Sequence, residues 1–242
     1  MLEWTKIPSV RFLDVADSPL HKMKWSGDAK SDYIAALMLL IVLSHHASDK
    51  DSLANGRLGD TQMSYDKLTE LLGISRTKVS NGIRVLESLS LIKVSTNKRP
   101  NIFTIIGLAE GARWGKLPAK GLYDKKLSKV KVFESFKLRS KVELNALKIY
   151  LVVVAFRDSQ IGYTKLGYEK ITQYAAVQRN DIKPALSFLI ANDFLQIDTE
   201  ATDLNQFSTA NVYWLRHIEP HKHRGTIGRK DVTQSTEVAP SS

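Results

Sequence analysis

The sequence of 242 residues predicts a mainly α fold with small β-hairpins (α+β), built from two similar units in one chain. Three observations predict it. Two helix-turn-helix patterns lie 103 residues apart, each follows a long apolar run, and each precedes two short apolar runs split by a polar loop. Apolar positions at helical spacing predict amphipathic helices, and paired short runs bounded by turn residues predict hairpins.

The two helix-turn-helix patterns, at 68–92 and 171–195, align without a gap, which indicates an internal repeat. Their apolar positions coincide as follows: Leu68 with Ile171, Ile74 with Val177, Val79 with Ile182, Ile83 with Leu186, and Leu86 with Leu189. The apolar runs at 36–46 and 146–157 each predict a first helix that is buried on all sides. Neither reaches the ~20 apolar residues that span a bilayer.

Within the first unit, cap residues predict where two helices begin and end. Ser64 is a plausible N-cap for a helix at 65–72, and Gly73 can adopt the left-handed conformation that ends it. Ser75 then caps a second helix from Arg76 to about Leu89. Hairpin strands are predicted at 91–94 and 102–106, and in the second unit at 194–198 and 211–215.

Three helices followed by a β-hairpin is the order of a winged helix, and the chain resembles a tandem winged-helix protein over roughly residues 30–216. The pairing of two such units resembles plasmid-type replication initiators. The resemblance implies two winged helix-turn-helix units in tandem that bind double-stranded DNA. The predicted domains are an N-terminal arm with the first winged helix (1–118), a basic connector (119–141), a second winged helix (142–218) and a disordered tail (219–242).

The outward face of the helix that begins at Arg76 carries side chains that can read bases. Stepping at 100° per residue buries Val79, Gly82, Ile83 and Leu86 together. The other side holds the candidate base-reading residues: Thr77, Lys78, Ser80, Asn81 and Arg84. Asn pairs with adenine and Arg with guanine in the major groove. A merely structural helix-turn-helix is the alternative.

Candidate contacts to the DNA backbone surround this helix. They are Ser75 and Arg76 at its N-terminus, where a phosphate is favoured, and Lys98 and Arg99 in the hairpin loop, or wing. The net charge is +10, and residues 119–141 hold 8 Lys/Arg against 2 Asp/Glu. In this connector Lys125, Lys126, Lys129 and Lys131 are candidate phosphate contacts. A linker whose lysines are only solvated is the alternative, although its apolar residues predict that it packs.

The second unit is less suited to base reading. Its outward face holds Asn180, Pro184, Ser187 and Ala191, and its wing holds Asp198, Glu200 and Asp203, which would repel phosphate. Arg179 and Lys183 remain candidate backbone contacts. A dimerisation or supporting role is the preferred interpretation, and this departs from the tandem initiators that the chain resembles.

No pattern of catalytic chemistry emerges, and the protein is predicted not to be an enzyme. The chain has no cysteine, the segment "GARWGK" lacks the spacing and the Ser or Thr of a phosphate loop, and "HKH" and "HH" lack metal-ligand spacing. No metal, cofactor or membrane partner is predicted, and a cytoplasmic location is expected. The first 30 residues predict an edge strand or a dimer arm, without a choice between them.

Three functions fit the sequence. The first is an initiator of replication in a plasmid or another mobile element, which also represses its own gene and meets host replication proteins. The second is a dimeric winged-helix transcriptional regulator. The third is a protein-interaction scaffold that binds no DNA. A homodimer is expected for the first two.

Overall fold

The computed structural model describes residues 1–49, 57–97, 99–108, 112–202 and 205–218, and it is a mixed α+β fold. The first half contains β1 (Trp4–Pro8), α1 (Val10–Leu13), α2 (Pro19–Lys22), α3 (Lys30–His46), β2 (Asp60–Gln62), α4 (Tyr65–Leu72), α5 (Arg76–Ser88), β3 (Ile92–Ser95), β4 (Ile102–Ile105) and β5 (Trp114–Pro118). The second half contains α6 (Lys141–Phe156), β6 (Thr164–Lys165), α7 (Tyr168–Ala175), α8 (Arg179–Ala191), β7 (Leu195–Thr202) and β8 (Asn205–Leu215). None of the helices in these ranges is long and apolar enough to cross a membrane.

The same succession of six elements occurs twice. Unit one (30–105) runs α3, β2, α4, α5, β3, β4, and unit two (141–215) runs α6, β6, α7, α8, β7, β8. The bounds of α7 and α8 lie 103 residues after those of α4 and α5, because the same apolar spacing and the same left-handed helix end recur at that offset, although the serine N-caps of unit one do not. The internal repeat inferred from the sequence is therefore present in the order of the elements.

Each unit ends in a three-stranded antiparallel sheet, of order β2-β4-β3 in unit one and β6-β8-β7 in unit two. The predicted two-stranded hairpins are incomplete, because the short strands β2 and β6 add a third strand to each. Strands of 3 and 2 residues are too short for apolar alternation to reveal them. The buried Thr61 and Thr164 hydroxyls donate to the carbonyls of Leu43 and Val153 at 3.0 and 2.9 Å, so each extra strand is tied to the first helix of its unit.

The two first helices form the centre of the core. Every residue from Ile34 to Leu43 in α3 is fully buried, as is nearly all of α6, which confirms that both apolar runs are helices buried on all sides. α3 contacts α5 on one side and β1 and α6 on others, and α6 contacts α8, α7 and β5. The two units therefore share one continuous apolar core.

The first 25 residues pack within this chain. β1 pairs antiparallel with β5, Trp4 opposite Pro118, so the strand alternative of the sequence analysis is the one observed. Phe12 and Leu20 are fully buried, and α1 and α2 contact helices of unit two. The His21 imidazole lies 2.8 Å from the Gln173 carbonyl. The N-terminal segment thus packs against unit two through α1 and α2, and against unit one through β1 and the Arg11 guanidinium, which donates to the Leu89 carbonyl at 3.3 Å.

Ala176 in unit two occupies a backbone position that unit one gives to glycine. Gly73 ends α4 at φ 65°, and Ala176 ends α7 at φ 49°, both left-handed. A side chain in this region costs about 1 kcal/mol or more. We expect Ala176→Gly to raise the free energy of unfolding by about 0.5 kcal/mol after the flexibility of glycine in the unfolded chain is subtracted. Gly73→Ala is the reverse change at the equivalent position and should lower it by a similar amount, about 0.5 kcal/mol. Urea unfolding measures both, and a loss of stability in Ala176→Gly would contradict the assignment.

Lys148 is a buried ammonium group that joins unit two to the N-terminal segment. Its side chain, on a residue only 2% exposed, donates to the carbonyls of Met23 at 3.2 Å and Ala176 at 3.3 Å. Burial, and then the charge of Lys24, lowers the pKa of Lys148 to about 8. Between pH 8 and the ordinary lysine pKa, the unfolded chain holds a proton that the folded chain has released. Stability from this group therefore rises with pH across that window.

In the parent protein, Lys148 should add about 1 kcal/mol to the free energy of unfolding over the first one to two pH units above 8. We expect Lys148→Met to lack this increase, so its free energy of unfolding should rise less steeply with pH. Urea unfolding at several pH values measures the slope. Lys170→Met removes an exposed lysine of α7 and is the matched control, with the parent slope expected. Equal slopes in all three proteins would show that Lys148 is not the group responsible.

Candidate nucleic-acid interface

α5 begins where the sequence predicted, and its caps are in place. The Ser75 hydroxyl accepts from the Lys78 amide at 3.3 Å, and the Ser64 hydroxyl accepts from the Lys67 amide at 3.1 Å to cap α4. Gly73 takes the expected left-handed conformation between the two helices. The turn that sets the angle of α5 is therefore fixed by local hydrogen bonds.

The buried face of α5 is the predicted one: Val79, Gly82, Ile83 and Leu86. Gly82 lies directly on α3. A β-carbon at Gly82 would lie 2.6 Å from Leu39 Cδ1 and 3.0 Å from the Ala36 amide nitrogen. The close crossing of the two helices therefore requires glycine here, and it fixes which face of α5 points outward.

The five candidate base-reading residues do not share one environment. Thr77 and Arg84 are exposed, and Ser80 is half-buried. Within the described residues Arg84 makes no hydrogen bond or ion pair, so its guanidinium is available to a ligand. These three side chains remain accessible on the outer side of α5.

Lys78 and Asn81 instead contact an acid that the sequence analysis did not place here. The Lys78 ammonium lies 2.6 Å from both the Ser31 hydroxyl and the Asp32 carboxylate, and the Asn81 amide nitrogen lies 3.2 Å from the other Asp32 oxygen. Asp32 belongs to α3, 46 residues before Lys78, so helical periodicity in α5 could not reveal it.

Arg76 at the start of α5 is also engaged within unit one. Its guanidinium pairs with the Asp66 carboxylate of α4 and lies 5.6 Å from the centre of the Tyr65 ring. Both charged side chains are well exposed, so this ion pair contributes little to stability and can open for a phosphate. Unit two repeats the ring contact between Arg179 and Tyr168, at 5.9 Å.

The wing of unit one is only partly described. Lys98, a candidate backbone contact, lies outside the described residues, and Arg99 is exposed. Lys93 on β3 is also exposed and was not singled out from the sequence. Its position in the alternating pattern of the strand, next to the buried Ile92, is the signal that could have identified it.

The basic connector is attached directly beside α5. The Val130 amide donates to the Leu71 carbonyl at 2.9 Å, at the end of α4 and next to the turn that leads into α5. Lys129 and Lys131 flank this anchored residue and are exposed. Two of the predicted phosphate contacts therefore lie next to the predicted recognition helix.

The other two predicted lysines of the connector project from a tight loop. Asp124 accepts from the Ser128 hydroxyl at 2.6 Å and from the Ser128 amide at 2.7 Å, and the hydroxyl contact is the main reason that the pKa of Asp124 is lowered. Tyr123 and Val130 form an antiparallel bridge across the base of the loop. Lys125 and Lys126 are exposed at its tip.

Aromatic side chains fasten the connector to unit two as well. Phe136 packs edge-on against Phe188 of α8 at 5.0 Å, and Phe133 lies 6.0 Å from Phe194. Both connector residues are buried. The prediction that this segment packs is confirmed, because its apolar residues join the shared core.

A groove of about 630 Å³ runs between the connector and the turn before α5. One wall contains Gly73, Ser75 and Lys78, and the other contains Lys129 and Lys137. The groove therefore combines the N-terminal end of a 13-residue helix with three lysine side chains. Partial positive charge at the helix N-terminus adds to the charges of Lys129 and Lys137 and favours an anion along this track, whereas Lys78 is paired with Asp32 and Glu134 also lines the groove.

The equivalent face in unit two is poorer in base-reading groups. Asn180, Lys183, Pro184, Ser187 and Ala191 are exposed on α8, as expected. α8 begins at the equivalent residue to α5, so Pro184 does not delay its start. Asp181 pairs with Lys141 of α6 at 2.6 Å. In the wing Asp198 is exposed, and the side chains of Glu200 and Asp203 lie outside the described residues.

The adjacent histidines His45 and His46 have a structural explanation. The His45 ring lies 3.0 Å from the Tyr123 hydroxyl, which also approaches His46 at 3.4 Å, so the pair ties the end of α3 to the connector. Burial, and then the charge of His46, lowers the pKa of His45 to about 3, which keeps it neutral at physiological pH. Within the described ranges no group of His, Asp and Glu residues could hold a metal ion.

No protein-family model matches this chain. A search of curated protein sequences also found no match. The site therefore has to be interpreted from its own geometry.

Proposed function

We propose that this protein is a tandem winged-helix protein that binds double-stranded DNA in a sequence-specific manner. Each unit has the element order of a winged helix, with the short third strand that completes its sheet. The observation that carries the proposal is the outer side of α5, where Thr77, Ser80 and Arg84 stay accessible beside the anchored lysines of the connector. Base-reading groups next to phosphate-binding groups are what a major-groove helix needs.

We assign base contacts to the outer side of α5 and phosphate contacts to the connector and the groove beside it. Arg84 and Thr77 read base edges, while Lys129, Lys131 and the groove beside Ser75 hold the phosphate backbone. The lysine contacts release counterions, so they supply affinity that falls with salt and carries no sequence information. Unit two has a supporting role in this proposal. Its only contacts with DNA are those of Arg179 and Lys183 on α8 with the phosphate backbone.

We propose further that the protein marks the replication origin of a plasmid or another mobile element, and that it acts without chemistry of its own. The connector supports this because it packs against both units, so two helix-turn-helix surfaces are carried by one chain on a shared core. Because α5 alone reads bases in this proposal, such a chain suits a long asymmetric site, with unit two lying along the phosphate backbone, or direct repeats that bind one chain each. Occupancy of that site would also repress a promoter overlapping it.

Enrichment of duplexes from a random pool tests this proposal. Purified protein is incubated with the pool at near-physiological salt, and bound duplexes are amplified and sequenced. A long asymmetric or directly repeated motif is the expected result. A palindrome with half-sites one helical turn apart would replace the initiator with a dimeric regulator. No enriched motif would overturn sequence-specific binding and leave a scaffold.

A further inference from the structure

Asp32, near the start of α3, holds two of the predicted base-reading residues at once. One carboxylate oxygen accepts from Lys78 at 2.6 Å and the other from Asn81 at 3.2 Å. The Asp32 side chain is only 16% exposed, so water competes weakly for it. Asp32 therefore controls the charge of one residue and the orientation of the other.

The contact with Asn81 fixes which end of its amide faces the ligand. A carboxylate only accepts hydrogen bonds, so the NH₂ group of Asn81 must face Asp32 and its oxygen must point the other way. One N–H of the amide remains to donate. An oxygen acceptor beside one N–H donor is the pattern that pairs with N6 and N7 of adenine.

The contact with Lys78 has a different consequence. Its ammonium is drawn back to Asp32 and Ser31, and the ion pair neutralises a charge that would otherwise attract any phosphate. A cation at the protein–DNA interface strengthens binding to all sequences alike. Pairing Lys78 with Asp32 therefore lowers non-specific affinity.

Comparison with unit two shows that the ion pair of Lys78 with Asp32 has an equivalent there, whereas the contact of Asn81 with Asp32 does not. At the position equivalent to Lys78 it has Asp181, paired with Lys141 at the start of α6. An ion pair between the first and third helices is thus common to both units, with its charges reversed. The residue equivalent to Asn81 is Pro184, which has no side-chain donor. Only unit one couples this ion pair to a base-reading amide.

We propose that Asp32 is a specificity-determining residue, which orients Asn81 toward adenine and withholds the charge of Lys78 from the DNA backbone. The inference rests on the proposed function, since it assumes that α5 enters the major groove. Asp32 acts through its two neighbours and does not touch the DNA, so it is a positioning residue.

Asp32→Asn is the sharpest variant, because it keeps the shape of the side chain and removes its charge. We expect non-specific affinity for a scrambled duplex to rise about threefold, and the salt dependence of that affinity to steepen by about one counterion. We also expect preference for adenine at one position of the enriched motif to fall by about tenfold. Fluorescence anisotropy with labelled duplexes and enrichment from a random pool measure these quantities.

Two further variants separate the effect of the Lys78 charge from the effect of Asn81 orientation. Asp32→Asn with Lys78→Met should lose the gain in non-specific affinity and keep the loss of adenine preference. Asn81→Ala alone should lose the same adenine preference without a gain in non-specific affinity. A loss of folding would lower all binding, whereas the proposal requires one kind of binding to rise.

The outcomes also separate this inference from the proposed function. If the parent protein enriches no motif, sequence-specific binding fails. If the parent enriches a motif and Asp32→Asn retains the same motif and the same affinity for scrambled duplex, the role of Asp32 is overturned while the proposed function stands.

Discussion

Replacing Arg84 with alanine is expected to weaken binding to the preferred duplex roughly tenfold to a hundredfold, which corresponds to the 1–3 kcal/mol of a bidentate contact to guanine. Arg84 is exposed on α5 and makes no ion pair with the described residues, so the change removes a ligand contact and no internal one. The enriched motif should become degenerate at one base pair. Fluorescence anisotropy on preferred and singly substituted duplexes measures both effects.

Two controls distinguish base reading from general loss of charge. Lys170→Ala removes one exposed positive charge from α7, and Ser187→Ala changes the residue of α8 equivalent to Arg84. Both are expected to stay within about twofold of the parent protein, and the unfolding free energy of Arg84→Ala should change by less than about 0.5 kcal/mol. A uniform loss across all duplexes, with the motif intact, would assign Arg84 to the backbone.

Gly82→Val is expected to lower the free energy of unfolding by about 3 kcal/mol, because it forces extra atoms between α5 and α3. A β-carbon at position 82 would lie 3.1 Å from a backbone atom of Ala35 and 3.0 Å from one of Ala36. These backbone atoms cannot move without displacing the whole buried helix α3. Urea unfolding measures the loss. Binding to the preferred duplex should fall as well, since α5 would tilt relative to the connector.

Ser88→Val is the matched control for this substitution. It places the same β-branched side chain on the exposed side of α5, away from α3. It therefore measures the effect of valine on helix propensity alone, without a clash between the two helices. A change of less than about 0.5 kcal/mol is expected. If Gly82→Val proved as stable as Ser88→Val, the close crossing of α3 and α5 would be wrong.

Local signals predicted the helix-turn-helix elements well because their causes are local. Ser64, Gly73 and Ser75 fix the ends of α4 and the start of α5 through hydrogen bonds within a few residues. The buried face around Gly82 follows from helical spacing alone. The apolar spacing repeats in α7 and α8, whose bounds are equivalent although neither helix has a side-chain N-cap.

The parts that sequence analysis missed depend on distant contacts. The partner of β1 was not predicted, because β5 lies more than 100 residues later and no local signal pairs the two strands. Asp32 reaches α5 because α3 crosses α5 at Gly82, and nothing near Asp32 in the sequence indicates this. Lys129 and Lys131 were identified by charge, but their position beside α5 depends on the bond from Val130 to Leu71. Periodicity and capping describe single elements and do not describe such pairings.

The central claim, that α5 enters the groove and α8 does not, can be tested by site-specific photo-cross-linking. The chain has no cysteine, so a single introduced cysteine can carry the reagent. Thr77→Cys and Asn180→Cys place it at equivalent exposed positions, one on α5 and one on α8. We predict cross-links to bases within the enriched motif from position 77, and none to bases from position 180. Base cross-links from position 180, with or without cross-links from position 77, or from neither position, would contradict the account.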